Sequence, residues 1–244
     1  MKLVNWSFIT SHEWDTDHLS CIRPLVDVAV HPYEHLSKEI ATTRKGSTFL
    51  KCPAHTDFLK NTFVFLAPFD VTLDINITDA NRSILSENLS QAVFDNLIDT
   101  RFLEDYDNQT NPYPLIGIDW LNIFTCNDSL LLQVLPAFMH HTEFSKSATV
   151  IPGEFDIGKW TRPVEIVFEV KSNQEKIVIN KGDAVAYFKF NTDQLIKLVP
   201  ASTPWSEIKL CNSIRQENAF RPLKERYEEL KDKKITRCPH ESKD

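Results

Sequence analysis

With 244 residues and a formal net charge of -7, the chain is long enough to bury one full core and lacks the positive charge that holds a phosphate backbone. Hydrophobic residues at 42% and charged residues at 25% are the proportions of a globular protein, and no stretch approaches the ~20 apolar residues of a membrane-spanning helix. Nucleic acid and membrane are therefore excluded as expected partners.

Met1-Lys2-Leu3-Val4-Asn5-Trp6 runs quickly into Ser, His, Glu and Asp; without an apolar signal core the expected compartment is the cytoplasm. Residues 25–30 alternate and end at His31-Pro32, which predicts a strand. Residues 62–66 and 69–75 are two further strand candidates separated by Ala67-Pro68, placed either to pair or to turn a sandwich corner. From 79 to 111 the signals conflict: 86–103 is helix-compatible, with Leu89, Val93 and Leu97 at four-residue spacing, yet the acidic, Asn-rich edges also suit a long loop. Residues 115–125 and 129–139 flank Cys126-Asn127-Asp128, which predicts a hairpin.

Residues 149–190 carry the strongest pattern. Pro152-Gly153 opens a turn, Val164, Ile166, Phe168 and Val170 alternate on one face, and Lys181-Gly182-Asp183 closes a hairpin before Ala184, Ala186, Phe188 and Phe190. This predicts a folded-over antiparallel β unit. With only five glycines in the chain, Gly153, Gly158 and Gly182 are expected at positive-φ turn positions. Residues 195–199 form a last strand candidate, and 216–234 an amphipathic helix with Phe220, Leu223, Tyr227 and Leu230 on one face. The expected fold is mainly β, a jelly-roll or β-clip-like antiparallel sandwich with a C-terminal amphipathic helix. Its domains are 1–215 as a single β domain with its core at 48–200, and 216–244 as helix and frayed tail.

Five widely spaced cysteines without a CxxC pair argue against a disulfide framework and a structural zinc. His55-Thr56-Asp57 with His140, or its neighbour His141, has the residue types of a two-histidine, one-carboxylate facial triad for Fe(II). An oxygenase of that kind takes 2-oxoglutarate, for whose distal carboxylate Arg162 is the candidate clamp. Asp156, Trp160 and Arg162 combine a turn carboxylate, an aromatic platform and a guanidinium, either as a ligand-binding set or as a stapled turn capped by the indole. His12, Glu13, Asp15, Asp17 and His18, the His31/His35 pair, and Cys238-Pro239-His240 read more simply as solvated loop and tail.

Two resemblances follow from these residues. Val150 to Asp156, then a strand, then Ile179-Asn180-Lys181-Gly182-Asp183, is similar in layout to the trimeric dUTPases, which implies a water-activating role for Asp156. Leu50-Lys51-Cys52-Pro53-Ala54, Asp57 to Val64, Pro68-Phe69-Asp70 and Phe155 to Pro163 ahead of Lys181-Gly182-Asp183 together resemble a family of proteins from tailed phages of marine bacteria, with more distant bacterial relatives. That resemblance implies phage origin and a shared fold, and supplies no activity. The resulting expectation is a phage-encoded accessory or minor virion protein in the cytoplasm of the infected host cell. It would act by binding a protein partner or itself, through the 216–234 helix or a sheet edge, with no cofactor. The alternatives are the Fe(II)/2-oxoglutarate oxygenase on His55, Asp57 and His140, and third a dUTPase-like nucleotide pyrophosphatase.

Overall fold

The computed structural model describes residues 1–8, 33–36, 52–77, 82–102, 114–158, 163–171 and 174–201. In chain order these form β1 (Lys2–Phe8), β2 (Tyr33–His35), α1 (Pro53–Phe58), β3 (Thr62–Leu66), β4 (Val71–Ile77), β5 (Arg82–Ser86), α2 (Gln91–Leu97) and β6 (Ile98–Phe102). They continue as β7 (Pro114–Thr125), β8 (Leu131–Pro136), α3 (Glu143–Ser147), β9 (Ala148–Val150), β10 (Gly153–Asp156), β11 (Pro163–Val170), β12 (Lys176–Ile179), β13 (Ala184–Phe190) and β14 (Ile196–Pro200). The protein is mainly β, as its alternating apolar runs predict.

The strands make three sheets. The first has the order β14-β1-β7-β11-β9 with β6 also on β7; the second is β10-β8-β13-β3-β2; the third is β12-β4-β5. Pairing is antiparallel except for β1 and β14, which run parallel with Lys2 opposite Ile196. The first two sheets face each other as a sandwich. Trp120 and Phe124 of β7 meet Phe65 of β3 and Phe188 of β13, with ring centroids 5.5–5.6 Å apart for Phe65–Trp120 and Phe124–Phe188. Phe65 and Phe188 stack on each other at 5.6 Å, and both are fully buried. Such edge and offset ring contacts add to the large apolar area each ring removes from water. Val71, Leu73, Ile177 and Ile179 of the third sheet join the same core.

Two predicted hairpins are corrected. Residues 115–125 and 129–139 do not pair: β7 lies in the first sheet and β8 in the second, so the Cys126-Asn127-Asp128 reversal carries the chain between layers. The strands around Lys181-Gly182-Asp183 also part, β12 pairing with β4 and β13 with β3 and β8. The reason is visible in the backbone, where the β3-to-β4 and β12-to-β13 crossings run side by side and bond each other. Gly182 donates to Ala67 O at 2.8 Å, Ala67 to Asp183 O at 2.9 Å, and Lys181 N–H to the Asp70 carboxylate at 2.7 Å. Of the two readings open for residues 62–75, the sandwich corner is the one found.

Turn chemistry needs correction at the glycines as well. Gly182 has φ 87°, whereas Gly153 and Gly158 are not in the positive-φ region; at Gly158 a Cβ would run into the Asp128 carbonyl, so glycine is there for close approach. Asn61 does take positive φ, 57°, and is buried. Its amide group donates to Thr192 O and Gln194 O at 2.8 Å, and its carbonyl accepts from Ile196 N–H at 3.0 Å, which pins the β13-to-β14 passage. Within the ambiguous stretch, residues 86–102 resolve as the end of β5, α2 capped by Ser90, and β6. The strand expected at 25–30 and the helix expected at 216–234 lie outside the described residues.

Candidate functional site

The outer face of the second sheet carries a small cluster of its own. Leu36, Leu59, Val64, Ala137, Ala184 and Tyr187 are buried there, beneath α1 and the turn that follows β8. Pro136 ends β8, and the backbone closes tightly: Phe138 N–H donates to Pro136 O and His140 N–H to Ala137 O, both at 2.9 Å. Thr142 then caps α3 in a reciprocal box with Ser145, stopping the turn from drifting.

Tyr187, fully buried, holds this turn from below. Its hydroxyl oxygen accepts from Met139 N–H at 3.1 Å and lies 2.7 Å from His140 Nδ1. A hydrogen bond therefore joins the phenol to the imidazole, its direction set by the His140 tautomer. Phe138 packs edge-on against Tyr187 at 5.1 Å and meets Phe58 of α1 at 6.2 Å. Phe58 and Phe138 are 43% and 49% exposed. The Lys189 ammonium sits 3.8 Å above the Phe58 ring, and partial burial pushes this amine below the usual lysine range.

Beside the turn opens a cavity of 210 Å³ between β9, α3 and the start of β13. Ala137, Phe144, Val150 and Val185 give it an apolar floor, and His140, His141 and Lys171 stand around it. Lys171 Nζ donates to Ser145 O at 2.6 Å, which holds the ammonium at the rim.

Of the sequence-predicted residues, His55 and Asp57 lie on α1 and His140 in the turn after β8. The Phe58–Phe138 contact brings these two segments to the same end of the second sheet. Asp57 is exposed, and the His55 side chain is outside the described residues. No three His, Cys, Asp or Glu side chains among the described residues stand together as metal ligands.

Asp156 is at the opposite end of β8, its register partner being Leu131, about 17 Å along the strand from Pro136. Its carboxylate accepts from Ser129 Oγ, from Leu130 N–H at 2.9 Å and from Gly158 N–H at 3.0 Å. Trp160 and Arg162 lie outside the described residues. Asp156 thus bonds groups of its own corner, with Ser129 and Leu130 as partners that sequence reasoning missed. Tyr187 and Lys171 were missed as well; the only signal for either was a lone polar group inside or at the end of an apolar run.

No helix among the described residues is long and apolar enough to cross a membrane. No protein-family model and no curated protein matches the chain.

Proposed function

We propose that the protein works by binding, as a phage-encoded accessory or minor virion protein in the cytoplasm of the infected host cell, with a protein partner or a second copy as its target. The observation that carries this reading is the half-exposed Phe58–Phe138 pair on a base fixed by Tyr187. Aromatic rings held rigid in solvent lose little entropy on docking and serve as interface anchors. The net charge of -7 favours a protein over a nucleic acid as partner. Phe58→Ser removes one anchor and leaves the cavity lining intact. Light scattering on the full chain is expected to show self-association, or infected lysate to yield a retained protein, and either signal to fall several-fold in the variant. A monomer that retains nothing, or retention unchanged by the substitution, contradicts the proposal.

A second reading is favoured by one specific placement: α1, with His55 and Asp57, and the turn with His140 share an end of the sheet. His140 Nδ1–H would then donate to the Tyr187 hydroxyl 2.7 Å away and leave Nε2 unprotonated to face a metal, the usual arrangement for a ligating imidazole. On this reading the three residues hold Fe(II), which would supply oxygen chemistry with 2-oxoglutarate. Anaerobic Fe(II) titration decides it: binding lost in His55→Ala supports the reading, and no binding removes it.

A further inference from the structure

We infer that the cavity beside the His140 turn is a binding site for a small organic anion, a monocarboxylate carrying one ring or a short apolar chain. The inference goes beyond the protein-binding proposal. Size sets the first limit, because 210 Å³ is somewhat more than the ~150 Å³ that houses a benzene ring and far less than a nucleotide site requires. Chemistry sets the second. Ala137, Phe144, Val150 and Val185 offer a ring or chain only apolar contact, whereas the rim brings the Lys171 ammonium and the His141 imidazole. No carboxylate lines the cavity among the described residues, although the chain as a whole is acidic.

Lys171 has three N–H protons and gives one to Ser145 O, so its charge is positioned by the α3 backbone while further donors remain for a ligand. That bond is what separates a built rim from a mobile surface lysine. An apolar floor with a fixed cation at its edge matches an amphiphilic anion: the body leaves water and the head meets a charge-assisted donor. A neutral molecule of equal shape gains only the first term, and inorganic phosphate only the second.

Isothermal titration calorimetry on the full chain tests this with three probes. Benzoate is expected to bind saturably, with benzyl alcohol and inorganic phosphate each at least ~10-fold weaker. Lys171→Met should weaken benzoate by a similar factor, and His141→Gln, at an exposed position, by a smaller one. The idea is overturned by no saturable benzoate binding, by benzyl alcohol or phosphate binding equally well, or by both variants matching the wild type. Because Phe58 does not line the cavity, Phe58→Ser leaves benzoate binding unchanged, so this inference and the protein-binding proposal fail separately.

Discussion

The two ends of β8 use their polar groups for different purposes. At the Leu131 end, the Asp156 carboxylate gathers donors from Ser129, Leu130 and Gly158 and so holds a corner. At the Pro136 end, one buried hydroxyl, that of Tyr187, fixes a short turn from beneath and leaves rings and nitrogens facing outward around a cavity. A conspicuous carboxylate in a turn here bonds its own corner, whereas an apolar run with a tyrosine in it fixes a turn beside a cavity.

The comparison can be broken most severely through what the two ends share. Phe188 contacts Tyr33, Phe65 and Phe124 in the core, so Phe188→Ala should cost about 3–5 kcal/mol in urea unfolding and weaken both ends together. A loss below ~1 kcal/mol would mean that the layers do not pack through this ring. At the corner, Asp156→Ala strands three donors and should cost about 2–3 kcal/mol, with benzoate affinity unchanged; a stable variant that loses ligand would reverse the roles assigned to the two ends. At the cavity end, Tyr187→Phe removes the acceptor for Met139 and should cost about 1–2 kcal/mol. The nitrogen-15 chemical shift of His140 Nδ1 should also move as it loses its hydroxyl partner, a change absent from a role that is packing alone.

The architecture was legible where local pattern suffices. Alternation at Val164, Ile166, Phe168 and Val170 and at residues 69–75 predicts strands, and β11 and β4 are strands, because period-two burial is a property of the strand itself. Partner choice was not legible. Lys181-Gly182-Asp183 reverses the chain as its turn chemistry requires, yet the Ala67–Asp70 crossing that bonds to it comes more than a hundred residues earlier and sends its two strands to different sheets. Asn61 left no signal either, since a positive-φ asparagine reads like any polar loop residue until its three long-range partners are known. For the site, Asp156 was legible as a residue held in a turn, but its donors were not. Neither was the cavity, because the spacing from Lys171 or Tyr187 to the His140 turn has no periodicity to reveal it.

The central claim is that ligand binding belongs to the Pro136 end of β8 and structure to the Leu131 end. Backbone-amide NMR of the full chain titrated with benzoate tests this directly. The account predicts shifts confined to residues 137–150, 171 and 184–185, with the amides of 116–124 and 129–131 unmoved. Shifts centred on the Asp156 corner, or spread evenly over the sheets, would contradict it.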